Sequence, residues 1–142
     1  MRIGIVGGSG YTAGELLRLL STHPEAEVTV VTSTTYTGEY VYRVHPHLRG
    51  YLRLRFSRLN LDRLSDSCDA VFLSLPHGVG LDIPPRLLDI GLKVIDLSAN
   101  YRLSRPEEYE KYYGFKHPYP HLLKNRAYGL PELHREEIRR AS

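Results

Sequence analysis

The sequence predicts an α/β fold, a doubly wound, Rossmann-like parallel sheet, from two observations. Apolar runs of strand length alternate with amphipathic helical segments through short loops, a pattern typical of parallel strands that helices cover on both faces. The first apolar run, residues 3–6, also leads at once into a turn that contains Gly7, Gly10 and Gly14, and then into a helix. Such a turn forms a cradle for a nucleotide diphosphate, because glycine lets the backbone approach the anion and the free N–H groups of a helix N-terminus bind it.

The three glycines have the spacing G-x-x-G-x-x-x-G, which departs from the common dinucleotide pattern. We expect Gly7 to open the turn and Gly10 to lie against the phosphates. Gly14, one turn into the helix, is expected to let that helix pack closely on the first strand. A glycine-rich turn without a ligand is the alternative at this point.

The remaining elements follow in chain order. The first helix is expected to end near Pro24, because proline disfavours a helical residue before it. Residues 28–31 have the pattern of a second buried strand, and residues 39–56 that of short extended segments around a break at residues 45–47. The rest of the chain is predicted to contain a helix at 59–64, a strand at 70–75, a helix at 83–90, a strand at 94–97, a helix at 107–113 and a last helix from about residue 132 or 134.

Composition and charge narrow the classes of function. The chain has 142 residues, 42% of them hydrophobic and 25% charged, which suits a single domain, residues 1–142, with its own core. No apolar run reaches membrane-spanning length and no secretory signal is recognisable, so we expect a cytoplasmic protein without membrane contact. The net charge of +3 and an arginine cluster between residues 43 and 63 permit an acidic partner, whereas no nucleic-acid-binding motif accompanies them.

The one cysteine and the histidines do not indicate a catalytic or metal centre. Cys68 lies just before the strand at 70–75, at the sheet edge opposite the expected ligand edge, so we expect a small buried residue and not a nucleophile. His45, His47, His117 and His121 lack the spacing of a zinc finger and have no cysteine partners. We therefore expect no metal site.

The loops that follow the strands define the candidate site, because ligands of open α/β sheets bind beyond the carboxyl ends of the strands. The loop after the second strand has no acidic residue to bind the ribose 2′-hydroxyl of NAD. It offers the hydroxyls of residues 32–35 instead, which suit a 2′-phosphate and predict NADP. The loop after the third strand carries His77, which either contacts the cofactor, assists proton transfer or is an ordinary loop histidine.

Four ordered motifs together indicate a family. They are Gly7-Gly8-Ser9-Gly10-Tyr11-Thr12, Leu75-Pro76-His77-Gly78, Asp96-Leu97-Ser98-Ala99 and Tyr128-Gly129-Leu130-Pro131-Glu132-Leu133. With them the chain resembles the N-acetyl-γ-glutamyl-phosphate reductases, and it is equally similar to the paralogous lysine-biosynthesis enzymes that reduce a LysW-linked aminoadipyl phosphate. The likeness covers nearly the whole chain.

The resemblance implies NADPH-dependent reduction of an acyl phosphate to a semialdehyde in arginine or lysine biosynthesis. In the family a cysteine follows the last motif and attacks the acyl phosphate, and a histidine of the next domain assists proton transfer. We therefore expect this chain to be the NADP-binding part, truncated before or at the start of the catalytic domain, with no catalytic residue of its own. The cofactor-binding residues that the resemblance and the loops give are Gly7, Ser9, Gly10, Tyr11, Thr12, Ser33, Thr34, Thr35, Leu75, Pro76, His77, Gly78 and Ser98.

The resemblance also bears on partners. It implies a small-molecule or carrier-linked acyl phosphate as substrate, and a homo-oligomer for the full-length protein. A carrier-linked substrate comes with an acidic protein, so the arginine cluster favours the lysine pathway over the arginine pathway without deciding between them. The alternatives are a domain like that of aspartate-semialdehyde dehydrogenase and a non-catalytic nucleotide-binding module that docks a partner.

Three residues depart from the family pattern. Thr34 stands where an arginine is common after the serine, Glu39 where a lysine often follows the glycine, and Asn100 where an aspartate is usual. The first two leave the expected 2′-phosphate without a nearby cation, which Arg43 or another distant residue must supply. The third removes any acidic role at that position.

Overall fold

Four parallel strands form one sheet in the computed structural model, which describes residues 1–141. The strands are β1 (Arg2–Val6), β2 (Glu27–Val31), β3 (Ala70–Leu73) and β4 (Lys93–Asp96), in the spatial order β2-β1-β3-β4. The chain moves outward from β1 in one direction to β2 and in the other to β3 and β4. This arrangement confirms the Rossmann-like fold, and it opens a crevice beyond the carboxyl ends of β1 and β3, where the strand order reverses.

Both faces of the sheet are buried along β1, β2 and β3, whose successive side chains point to opposite faces, whereas the edge strand β4 is half-exposed. Ile3 and Ile5 of β1 belong to one core cluster, whereas Val6 belongs to a second. The first cluster packs under α1 (Tyr11–Leu20), and the second packs under α3 (Leu61–Ser67) and α4 (Ile83–Asp89). Continuous burial on two faces is the reason why the strands appear in the sequence as unbroken apolar runs.

Three further helices complete the fold. They are α2 (Val41–Val44), α5 (Pro106–Tyr113) and α6 (Pro131–Arg140), and single 3₁₀ turns lie at Pro46–Leu48 and Leu122–Lys124. Helix α5 ends at Gly114, whose φ of +75° is the left-handed conformation that stops a helix at low cost. Among the described residues, no helix combines the length and the apolar character needed to cross a membrane.

The prediction for residues 39–56 was wrong in its first half. Residues 41–48 form helix α2 and a 3₁₀ turn rather than extended segments. Val41, His45 and Leu48 are the buried positions, and their spacing of four and three residues is helical, so packing on the core overrides the strand preference of the alternating valines and tyrosines. In the second half an isolated bridge joins Arg55 to Tyr40, and a second one, just beyond the predicted segment, joins Ser57 to Thr32, but no regular strand forms.

Candidate cofactor site

A cleft of about 650 Å³ lies beyond the carboxyl ends of the strands, at the point where the strand order reverses. The four strand-exit loops all contribute to its walls. Of the thirteen residues predicted to bind the cofactor, eleven line it and two do not, namely Thr35 and Gly78. The eleven are Gly7, Ser9, Gly10, Tyr11, Thr12, Ser33, Thr34, Leu75, Pro76, His77 and Ser98.

Gly7 and Gly8 approach the neighbouring segments too closely for any side chain. Gly7 has a φ of +82°, and a methyl group there would overlap the carbonyl oxygen of Ser74 and lie 2.8 Å from a methyl of Leu75. A methyl group on Gly8 would overlap Val31, and the Gly8 N–H donates to the carbonyl of Thr32 at 2.8 Å. The turn after β1 is therefore held against the exits of both β2 and β3.

Gly10 serves a different purpose. A methyl group there would meet no atom within 4 Å, so this position faces open space at the cleft. Gly10 is the N-cap of α1 and offers no side-chain oxygen to the first turn of the helix. The N–H groups at the start of α1 have no acceptor within the described part of the chain, and they are available to an anion.

Gly14 does not have the predicted role. A methyl group there would lie 2.7 Å from Nδ1 of His45 and 2.9 Å from its Cε1. The close approach that this glycine allows is thus to the ring of a buried histidine and not to strand β1. The histidine comes from a segment about thirty residues later, and nothing local to the glycine motif signals it.

The loop after β2 presents hydroxyl groups to the cleft. Ser33 is buried, and its hydroxyl donates to that of Ser9 at 3.3 Å, which joins this loop to the glycine turn. The Ser33 N–H donates to the carbonyl of Ser57 at 3.0 Å. This bond holds Ser57 against the hydroxyl loop, and Leu59, two residues later, lines the cleft.

The loop after β3 is braced by Asn100. The side-chain oxygen of Asn100 accepts the N–H of Gly78 at 2.7 Å, and its amide nitrogen donates to the carbonyl of Val79 at 2.9 Å. A carboxylate cannot supply the second of these bonds, because it has no donor when ionised. The departure at this position therefore has a structural reason in this chain, which the sequence pattern alone did not reveal.

His77 stands at the cleft with one ring nitrogen already engaged. Its Nδ1 accepts the N–H of Ala99 at 3.0 Å, so the neutral ring carries its proton on Nε2. The side chain is exposed and lines the cleft. The ring thus offers a hydrogen-bond donor to a ligand in the cleft.

Cys68 lies away from these groups. It is buried just before the amino end of β3, with its sulfur 3.4 Å from the hydroxyl oxygen of Thr29. Burial raises the pKa of the thiol, which opposes formation of a nucleophilic thiolate. Residues 1–141 hold no group of three or more histidine, cysteine, aspartate or glutamate side chains that could bind a metal ion.

Several residues that line the cleft were not predicted. Apart from Ser74 they are apolar, and they form its walls: Val6, Leu59, Val79, Ile83 and Leu97. Isolated apolar residues in loops and at helix starts have no sequence pattern that separates a cleft wall from a core position. Leu97 and Val79 are partly exposed, which sequence periodicity does not indicate.

Comparison with known proteins gives one family. The family model described as semialdehyde dehydrogenase, NAD binding domain, matches residues 2–141. The LysW-L-2-aminoadipate/LysW-L-glutamate phosphate reductase of Saccharolobus solfataricus is 55% identical over 141 residues, 99% of this chain and 40% of that protein. The enzyme of the same name from Sulfurisphaera tokodaii is 54% identical, with the same coverage of 99% and 40%.

Among solved structures, aspartate semialdehyde dehydrogenase with NADP from Candida albicans superposes with a TM-score of 0.62 and 23% identity. The match covers 74% of this chain and 31% of that one. At this identity the similarity establishes the fold. The chain spans about 40% of the length of the curated relatives it matches.

Proposed function

Because the chain belongs to the semialdehyde dehydrogenase NAD-binding domain family, we propose that its cleft binds NADPH for the reduction of a carrier-linked acyl phosphate to a semialdehyde. The observation that carries this proposal is the meeting of four strand-exit loops around one cleft, with open backbone donors on one side and hydroxyls on another. When bound, NADPH would supply the hydride for this reduction, so that an acyl phosphate, NADPH and one proton give an aldehyde, inorganic phosphate and NADP⁺.

The diphosphate of the cofactor is assigned to the glycine turn and the first turn of α1. Gly10 leaves the space that a phosphate needs, and the free N–H groups that follow it are aimed at that space by the helix. The hydroxyls of Ser9 and Thr12 lie at the same wall and can donate to phosphate oxygens. Tyr11 lies at the rim with its side chain fully exposed, at 100% of its accessible surface.

The 2′-phosphate is assigned to the hydroxyl loop after β2, with Arg58 as its cation. Ser33 and Thr34 line the cleft and supply hydroxyls. Arg58 is exposed and lies between Ser57, which accepts the Ser33 N–H, and Leu59, which lines the cleft. We therefore assign to the guanidinium of Arg58 the positive charge toward the 2′-phosphate that Thr34 cannot supply.

The nicotinamide is assigned to the end of the cleft between the loops after β3 and β4. Leu75 and Leu97 provide apolar surface for the ring, and Nε2 of His77 provides a donor for a carbonyl oxygen. Ser98 lies at the same wall. This part of the cleft would orient the nicotinamide ring. We therefore assign to this chain the binding and orientation of the cofactor.

Titration of the chain with NADPH and with NADH tests the cofactor. We expect NADPH to bind about tenfold or more tightly than NADH, because hydrogen bonds to a charged phosphate contribute roughly 1.5 kcal/mol or more. Calorimetry measures both constants directly. Equal and weak binding of the two cofactors would refute the assignment of NADPH.

Arg58→Ala separates the role of this cation from that of the other arginines. The substitution should lower the affinity for NADPH about tenfold and leave the affinity for NADH unchanged, since NADH has no 2′-phosphate. Arg53→Ala removes an exposed charge from the same segment and serves as the matched control, with no effect on either cofactor expected. An equal effect of the two substitutions would contradict a specific contact with Arg58.

The arginine segment suits an acidic carrier protein. The two relatives are named for substrates linked to LysW, and residues 43–58 of this chain expose five arginines: Arg43, Arg49, Arg53, Arg55 and Arg58. Arg55 is held in place, with its guanidinium 3.6 Å above the ring of Tyr40 and a hydrogen bond of 2.7 Å to the carbonyl of Gly38. A fixed guanidinium at a surface loses less entropy on binding a carboxylate than a free one.

Charge reversal tests the docking surface separately from the cofactor. The double substitution Arg53→Glu and Arg55→Glu should weaken binding of LysW, with a strong dependence on salt, and leave NADPH affinity unchanged. Lys93→Glu, at the amino end of β4, reverses one charge remote from this segment, half of the change in the double variant, and should have little effect. Unchanged carrier affinity in the double variant would exclude the segment as the docking surface.

A further inference from the structure

We propose that His45 is a positioning residue that fixes the direction of a backbone donor in the glycine turn. The inference rests on the proposed function, since it concerns how the same turn binds the cofactor phosphates. His45 and His47 flank Pro46 in a motif that neither metal binding nor the four exit loops explain. Both rings contact the glycine turn or the start of α1, but they do so very differently.

The His45 ring is buried beneath the turn. Its Nε2 lies 2.8 Å from the carbonyl oxygen of Gly8, and the ring itself fills the space beside Gly14. Since a carbonyl oxygen can only accept, Nε2 carries the proton and donates. Among the described residues, the Gly8 carbonyl has no other hydrogen-bond donor.

This bond determines where the next N–H group points. The carbonyl of Gly8 and the N–H of Ser9 belong to one planar trans peptide unit, in which they point in opposite directions. Because the carbonyl turns inward to the buried histidine, the Ser9 N–H turns outward, to the side where Ser9 lines the cleft. His45 thereby presents an anion donor without touching the cofactor.

A glycine turn needs such a constraint. The peptide unit before Ser9 rotates about ψ of Gly8 and φ of Ser9, and a glycine at position 8 gives it an unusually large freedom to rotate. If the unit flipped, the carbonyl of Gly8 would face the phosphates, where its partial negative charge would repel them. The buried donor of His45 makes that rotation unfavourable, because it would leave a buried hydrogen-bonding group without a partner.

His47 offers a comparison within the same motif. Its Nε2 lies 3.3 Å from the carbonyl of Gly14, and its side chain is exposed. A long bond at an exposed position contributes little, and it acts on a residue inside α1, not on the turn. The positioning role therefore belongs to His45 alone.

The first test needs no cofactor and follows the Ser9 amide in the free chain by NMR. In His45→Leu, which removes the donor, the Ser9 amide signal should shift or broaden through exchange between two peptide orientations. In His45→Gln, whose side-chain nitrogen reaches a similar distance, and in His47→Gln, the signal should stay near that of the original chain. An unchanged Ser9 signal in His45→Leu would overturn the inference, whatever the ligand of the cleft.

The second test measures affinity for NADPH. We expect His45→Leu to bind about tenfold more weakly, the usual effect of losing one donor to a charged group, and His45→Gln to recover most of the affinity. Leu64→Ala, in the core cluster on the other face of the sheet, provides a variant destabilised without a change at the turn. If Leu64→Ala weakens NADPH binding as much as His45→Leu does, the loss of affinity in His45→Leu comes from lower stability of the fold, and the positioning role is refuted. If the original chain binds no NADPH, the proposed function fails, whereas the NMR result still decides the role of His45.

Discussion

Two glycines of the same turn should respond to the same substitution in opposite ways. Gly7→Ala is expected to destabilise the fold, because Gly7 has a φ of +82° and no room for a methyl group. Gly10→Ala is expected to leave the fold nearly unchanged, because its φ is −80° and nothing lies within 4 Å of the added carbon. Both substitutions should weaken binding of the cofactor. Gly7→Ala does so by displacing the turn, and Gly10→Ala does so by occupying space in the cleft.

The magnitude for Gly7→Ala follows from its surroundings. A left-handed backbone costs an alanine about 1–2 kcal/mol. The methyl group overlaps a backbone carbonyl oxygen, and it also lies 2.8 Å from Leu75 Cδ2. Because Ser74 directly follows β3 and its own N–H is bonded to the carbonyl of Val6, its carbonyl cannot easily move, and we add about 1–3 kcal/mol for overpacking. Alanine also lowers the conformational entropy of the unfolded chain, which offsets roughly 0.5–1 kcal/mol of this destabilisation. The sum is a destabilisation of about 3 kcal/mol, or about 10 °C in Tm for a chain of this size.

For Gly10→Ala the opposing terms are both small. Alanine is a poorer N-cap than glycine by a few tenths to about 1 kcal/mol, and the reduced freedom of the unfolded chain offsets a similar amount. Thermal unfolding followed by circular dichroism measures both variants, and calorimetry with NADPH measures the cleft. A Gly7→Ala variant that melts within about 2 °C of the original chain would refute the steric reasoning. A Gly10→Ala variant with unchanged NADPH affinity would refute the assignment of this position to the phosphates.

Two further predictions concern the part of the fold beside the cleft. Asn100→Asp should lower the free energy of unfolding by roughly 2 kcal/mol at neutral pH, since it removes the donor to the Val79 carbonyl and places a carboxylate against it. Denaturant unfolding measures this change, and equal stability would contradict the bracing role. Burial lowers the pKa of His117, and its Nδ1 already accepts the N–H of Tyr119 at 3.2 Å, where a second proton would have to go. Because the folded pKa lies below the unfolded one, the stability that His117 confers is present above about pH 6.5 and is lost as the pH falls through the folded pKa. His117→Gln should flatten the dependence of Tm on pH in that window, and an unchanged slope would contradict the role of this ring.

The parts of the fold that the sequence predicted are those that local patterns control. Strands β1, β2 and β3 were predicted because a parallel strand buried on both faces is an apolar run, and β1 and β2 were placed within a residue or so of their true bounds. The strand predicted at 70–75 ends at Leu73, and Ser74 and Leu75 belong to the loop that lines the cleft. That boundary could not be read from the sequence, because Leu75 is as apolar as the strand residues before it.

The parts that were missed depend on residues far apart in the chain. The helix at Val41–Val44 has strand-like composition, and only its packing on the core selects the helical spacing of Val41, His45 and Leu48. Asn100 braces a loop about twenty residues earlier, and His45 bonds to a carbonyl 37 residues before it.

A motif written as a spacing of glycines describes only the residues that must be small. It does not identify the side chain that holds their peptide units in place. The geometry of the turn requires glycine at fixed positions, whereas any buried donor at the right distance could orient the Gly8 carbonyl. In this chain that donor is His45, on a segment whose sequence indicated neither its helical form nor its contact with the turn. Residues that support a binding loop from other segments are therefore best sought in the structure, starting from the backbone groups that the loop itself leaves without local partners.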